Sequence, residues 1–296
     1  MSIFKLDPAF KDYIWGGTRL RDEYGKKCDY DKVAESWELS CHKDGPSVVA
    51  DGEYKGLTLN EYIEKAGKGV LGKNCERFEN FPILIKLIDA KDNLSVQVHP
   101  DNDYAMRVEG EYGKTEMWYV VDCDEGATLL YGFKHEITKE EFARRIADNT
   151  LLEVTNAVPV KKGDVFFIKS GTLHAIGKGI LIAEIQQNSN TTYRIYDYGR
   201  VGKDGKPREL HVDKALDVTK LAPAEQYPET PVEKKDGYDI KLLSKCEYFT
   251  TYRVNVETKA ELDADENSLN SILVLEGEPV TVSYTHLRAH ETEADL

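Results

Sequence analysis

The chain has 296 residues, enough for one large domain or two smaller ones that each bury a core. Its 53 Asp and Glu outweigh 39 Lys and Arg, a net charge of −14, which argues against a nucleic-acid surface because phosphate contact needs a local excess of positive charge. No apolar run nears the ~20 residues of a membrane span, the start MSIFKLDPAFKDYIWGG lacks a secretory pattern, and the five scattered cysteines form no C-x-x-C pair, so a cytoplasmic protein with reduced cysteines is expected.

The first legible element is a helix in TLNEYIEKAG, where Thr58 and Glu61 form a capping-box pattern and Gly67 supplies the stop. From about residue 81 to 198 the period becomes two, in the runs ILIKLI, LSVQVH, MWYVVD, DVFFIK, GILIAEIQ and TTYRIYDY separated by turn residues. Many short strands with glycine-bearing turns predict a sandwich or barrel. A second helix is predicted in TKEEFARRIADN, with Thr138 and Glu141 repeating the capping pattern and Phe142 and Ile146 one turn apart. Residues 221–237, rich in proline and charge, read as an interdomain linker. Beyond it, IKLLSKCEYFTTYRVNVE and NSILVLEGEPVTVSY are again period-2 and predict a smaller second β unit. The final THLRAHETEADL breaks the pattern where return strands are needed, so residues 285–296 are expected to be a non-native or disordered tail, with His286 and His290 only mimicking a metal pair.

Within the β region a few polar side chains stand where a core is expected. In LSVQVHP, alternation puts Ser95, Gln97 and His99 on one face and Leu94, Val96 and Val98 on the other, and an inward Gln and His two residues apart point to a metal or a ligand. In GKTEMWYVV, Glu116 opens a strand on the face of Trp118 and Val120, so a carboxylate can be aimed inward. In GDVFFIKSGTLHAIG, Gly163 and Asp164 mark a turn, a strand follows, and Gly171 turns the chain so that His174 projects back. The stretch resembles the second cupin motif, G-D-x-x-x-x-P-x-G-x-x-H, with Lys169 in place of proline. Two imidazoles, a carboxylate and an amide oxygen suit Zn²⁺ with one position left open, and Mn²⁺ or Fe²⁺ would also fit. Trp15, Trp37 and Trp118 read as core, and His42, His135 and His211 as surface or satisfied core.

The fragments WGG at 15–17, AESWELSCH at 34–42, LSVQVHPDNDYA at 94–105, GKTEMWYV at 113–120, GTLHAIG at 171–177 and AEIQQNSNTTYRIYDYGR at 183–200 together resemble the type I mannose-6-phosphate isomerases in their short bacterial form. The resemblance implies a mostly-β fold: a cupin jelly-roll β-barrel catalytic domain with a few helices over residues 1–232, and a smaller, incomplete C-terminal cupin-like β domain over 233–284. It implies one zinc ion per chain held by Gln97, His99, Glu116 and His174, with Arg194 as catalytic arginine, Glu184 as an acid that moves protons, and Lys114 and Lys86 as active-site lysines. The implied substrate is a small phosphorylated sugar, mannose 6-phosphate interconverted with fructose 6-phosphate, with no nucleic-acid or membrane partner. Oligomeric state is left open.

The chemistry asks for matching residue types. A guanidinium such as Arg194 suits a developing enediolate oxygen, and Glu184, raised in pKa by burial, is the candidate base, with support of a ligand histidine as its alternative role. Lys86, inside an apolar strand, and Lys114, two residues before a ligand, are candidate phosphate cations unless they pair with protein carboxylates; Ser95 and the rim Arg200 are further substrate-binding candidates. The same two histidines and carboxylate would also serve an Fe²⁺ cupin oxygenase, and the fold alone would serve a non-catalytic sugar-binding cupin.

Overall fold

The computed structural model describes residues 3–202 and 205–281. Its strands are β1 (Leu6–Asp7), β2 (Ala9–Lys11), β3 (Glu35–Leu39), β4 (Val48–Val49), β5 (Ile83–Ala90), β6 (Val96–Val98), β7 (Glu116–Cys123), β8 (Thr128–Phe133), β9 (Thr155–Pro159), β10 (Val165–Ile168), β11 (His174–Ala175), β12 (Ile180–Gln187), β13 (Tyr193–Tyr196), β14 (Val232–Lys235), β15 (Tyr238–Lys245) and β16 (Thr250–Val256). Antiparallel pairing arranges them as β10-β7-β12-β5-β3-β2, β13-β6-β11-β8-β9 and β14-β15-β16, with β1 and β4 as a separate pair.

The first two sheets share a core. Ile88, Trp118, Val120 and Ile182 from the six-stranded sheet meet Leu129, Tyr131 and Ile176 from the five-stranded side. Each fully buried Leu, Ile or Phe contributes about 1.5–3 kcal/mol, so this layer is a main stabilising term. The far face of the six-stranded sheet is also covered: Leu87, Val121 and Leu181 pack with Leu20 and Val33. Ile85, Met117 and Ile185 pack with helix Leu59–Ala66 and with Leu243 and Phe249 of the C-terminal segment. Covering on both faces explains why β5 and β12 read as almost unbroken apolar runs. Two of the polar residues in those runs, Lys86 and Glu184, lie directly opposite each other in the ladder. The outer face of the five-stranded sheet is closed by helices Lys139–Ala147 and Val212–Val218, through Phe142 and Ala215 against Val96, Val98 and Phe133.

Both capped helices form as their sequences predict. Glu61 N–H donates to Thr58 Oγ1 while Glu61 Oε2 accepts from Thr58 N–H, and Thr138 Oγ1 accepts from Glu141 N–H. Other expectations need correction. The linker is shorter than 221–237, because Val232–Lys235 is a strand; all four of its residues are exposed, so no apolar period marks it. What remains lies against the two facing sheets, with Tyr131 Oη donating to the Glu225 carbonyl and Tyr227 packed near Phe167. NSILVLEGEPVTVSY, as far as residue 281, forms no strand among the described residues: Leu273 and Leu275 pack on the core while Ile272 is 59% exposed, so alternation persists without a ladder. Leu94 does not share the face of Val96 and Val98, because the strand starts only at Val96 and Leu94 turns into the core between the sheets. The tail at 285–296, with His286 and His290, lies outside the described residues.

Candidate active site

The site forms between the two facing sheets. Glu116 opens β7 in one; in the other, His174 of β11, Gln97 of β6 and Arg194 of β13 occupy one cross-strand row, and opposed residues in a row point to the same face. His99 follows β6, and its carbonyl accepts from the N–H of Gly171, whose positive φ of 85° makes the turn into His174.

The three ligand candidates converge. His99 Nε2 lies 3.1 Å from His174 Nε2 and 3.7 Å from Glu116 Oε2, and His174 Nε2 lies 3.3 Å from Glu116 Oε1. His99 Nδ1 is 2.9 Å from the Thr191 carbonyl and His174 Nδ1 is 2.8 Å from the Thr172 carbonyl. A carbonyl only accepts, so each Nδ1 carries the proton and each Nε2 presents a lone pair inward. Burial pushes both imidazoles down, His99 well below its ordinary value and His174 to about 4, so both are neutral near pH 7. Two lone pairs thus face each other beside a fully buried carboxylate whose Oε1 accepts no hydrogen bond. Lys114 Nζ relieves this arrangement in part, at 3.3 Å from His99 Nε2 and 2.7 Å from Glu116 Oε2, and a divalent cation between the three groups would satisfy the rest. The Gln97 amide stands 3.4 Å from His174 Nε2, and its oxygen can face the same point when the amide is turned over. These residues fit a divalent ion.

A buried chain of charge runs away from this point. Lys114 Nζ is 2.7 Å from Glu116 Oε2 and 3.6 Å from Glu184 Oε1; Lys86 Nζ is 3.5 Å from Glu184 Oε1 and 3.4 Å from Glu35 Oε2. Lys86 therefore meets protein carboxylates, the alternative open in the sequence, and also lies over the Trp37 ring. The indoles of Trp37 and Trp118 donate to Glu35 Oε2 and Glu184 Oε2 at 2.6 and 2.8 Å. Burial pushes Glu116 up to about 8. Glu184 departs from expectation: burial raises it, but Lys114, Lys86 and the Trp118 N–H together outweigh that and hold it at about 2.

Arg194 lies at the rim, its Nε 3.3 Å from Ser95 Oγ and its Nη1 donating to the Glu209 carbonyl at 2.9 Å. Burial, then Arg208 and Arg200, lower its pKa against the pull of Asp197. Arg200 is not a bare cation: it and Arg208 both bind Asp197, and Arg200 also donates to the Asn93 carbonyl. Sequence reasoning missed Glu35, Asp197, Arg208 and the roles of two tryptophans. It also missed His211, whose Nδ1 accepts from the Arg194 backbone at 3.2 Å. Only the tryptophans carried a signal, since a buried indole N–H needs an acceptor.

Fold and site together define a class: an antiparallel two-sheet β protein with a buried cluster of two histidines and one carboxylate between its sheets that could hold a metal ion. Residues 3–126 match the family described as phosphomannose isomerase type I, catalytic domain. The chain is 42% identical to the mannose-6-phosphate isomerase of Streptococcus mutans, over 84% of this chain and 77% of that one. It is 41% identical to mannose-6-phosphate isomerase ManA of Bacillus subtilis, over 93% and 86%. The crystal structure of the mannose 6-phosphate isomerase from Bacillus subtilis superimposes with a TM-score of 0.82 at 40% identity, covering 86% of this chain and 81% of that one. The chain belongs to the type I phosphomannose isomerase family.

Proposed function

We propose that the chain is a zinc-dependent aldose-ketose isomerase that interconverts mannose 6-phosphate and fructose 6-phosphate through an enediolate. The observation that carries this reading is the convergence of ligand atoms of His99, Glu116 and His174 within 4.8 Å of one another, with Gln97 and Arg194 in the row of His174, in a chain of this family. We read the two facing sheets as a cupin jelly roll over residues 1–232, the following residues to 284 as an incomplete second β unit, and the protein as cytoplasmic. No helix among the described residues is long and apolar enough to cross a membrane.

Gln97, His99, Glu116 and His174 would hold one Zn²⁺ per chain, a borderline set of nitrogen and oxygen ligands. Zn²⁺ bound there supplies Lewis acidity to the sugar's carbonyl oxygen. The remaining work falls to side chains. Isomerisation moves a proton from one carbon to its neighbour, and Glu184, held at about 2, is too acidic to take that proton unaided. We assign the transfer to the Lys114 and Glu184 pair: Lys114 Nζ, 3.6 Å from Glu184 Oε1, acts as the free amine, takes the proton from one carbon and returns it to the neighbouring carbon. Arg194 presents a guanidinium to the developing oxyanion. Ser95 and Arg200 take the phosphate end, at a rim where three guanidiniums gather around Asp197. Lys86, enclosed by Glu35 and Glu184, keeps Glu184 ionised.

A coupled assay for fructose 6-phosphate tests the reading. Chelated protein should lose turnover and regain it with Zn²⁺ under anaerobic conditions. A folded, zinc-loaded chain that leaves mannose 6-phosphate unchanged overturns the proposal, and oxygen uptake on Fe²⁺ loading would favour the oxygenase instead.

A further inference from the structure

A second polar path leads back to the metal ligands through residues that the reaction does not use. His42, buried at 4% exposure after β3, accepts the Asp44 N–H on Nδ1 at 3.1 Å, so its neutral ring carries the proton on Nε2. That nitrogen is buried without a hydrogen bond and faces Glu111 Oε1 at 3.4 Å, while the exposed Lys43 Nζ is 3.3 Å from the same oxygen. Glu111 Oε2 accepts from the Thr191 hydroxyl at 3.1 Å. The Thr191 carbonyl in turn takes the Nδ1 proton of His99. Three loops from separate parts of the chain thus meet on one carboxylate, and the last of them fixes the ring of a ligand.

We propose that Glu111 is a positioning residue: lying beside His42 and Lys43, it holds Thr191 by its hydroxyl and so places the carbonyl that orients His99 toward the ion. The inference rests on the metal reading of the trio. Partners behind a ligand histidine tune metal affinity by about 10–100-fold, and Glu111, one step further out, should act at or below the low end.

Two pairs of variants test it by chelator competition for Zn²⁺ and by the visible spectrum of the Co²⁺-loaded protein. Glu111→Ala and Thr191→Val should each weaken Zn²⁺ binding about three- to tenfold and shift the Co²⁺ bands, while Thr191→Ser, which keeps the hydroxyl, coincides with the parent. The double variant should lose no more than the weaker-binding single, because both cut one path. Thr191→Val is nearly isosteric and decides the matter even where Glu111→Ala fails to fold. Unchanged Zn²⁺ affinity and Co²⁺ spectrum in Thr191→Val, or a double loss equal to the product of the singles, overturns the inference alone. A parent chain that takes up neither ion overturns the metal reading and this inference with it.

Discussion

At the scale of single residues, the site's charges set how it responds to pH. An ion needs Glu116 ionised, yet burial raises that carboxyl to about 8, whereas both imidazoles are pushed down and already neutral. Metal uptake at pH 7 should therefore expel close to one proton, from Glu116. The sign follows: below about 8 each unit fall in pH costs about tenfold in affinity, steepening below about 4 where His174 gains a proton. Calorimetry in two buffers of unlike ionisation enthalpy measures the release, and none at pH 7 would contradict the assignment. Arg194 has a separable role, since its guanidinium binds Ser95 and the Glu209 carbonyl rather than the ligands. Arg194→Ala should cut kcat by about 10²–10³ with bound zinc unchanged, measured by the coupled assay beside metal analysis. Gln97, His99, Glu116 and His174 were legible because polar residues interrupt an apolar alternation. The pKa of Glu184 was not, because its two lysine neighbours come from other parts of the chain, Lys86 on β5 and Lys114 just before β7.

At the scale of elements, turns and caps fix how strands present these side chains. Gly171 combines a φ of 85° with a neighbour, the Val218 carbonyl oxygen, that would lie 2.8 Å from an added Cβ. Gly171→Ala should lower stability by about 1–3 kcal/mol and weaken metal binding by moving His99 against His174, read by urea unfolding and chelator competition. Thr58→Ala removes a cap far from the chemistry and should cost about 1 kcal/mol with kcat unchanged; a matching loss of kcat would show that the helix Leu59–Ala66 supports the site. Elements with a local signature were readable: two capped helices and the long apolar strands. β3, β8 and β9 were not read as strands, and neither was the short helix Asn102–Val108 read as a helix, although Asp101 caps it by accepting from Tyr104 N–H.

At the scale of the molecule, the C-terminal part is bound to the six-stranded sheet rather than hung from it. Leu273 packs into both clusters on the far face of the six-stranded sheet, and the N–H groups of Lys73 and Asn74 donate to the carbonyls of Glu266 and Asn267 at 3.0 and 2.9 Å. Leu273→Ala should cost about 1–2 kcal/mol, less than a fully buried leucine because its side chain is half-buried, and should shift one cooperative transition. Two separated transitions, with only the smaller shifted, would show that the parts unfold independently.

The amino-acid sequence by itself determined the period-2 β character, the two capped helices, the identity of the inward polar residues and the family, because each is written in spacing along one stretch of chain. Only the tertiary structure decided which carboxylates neutralise Lys86, why Glu184 is acidic, how Arg194 aligns with His174, and that Glu111 stands behind His99. Electrostatic fields and ladder register depend on distances between segments up to a hundred residues apart, and no local pattern encodes those distances.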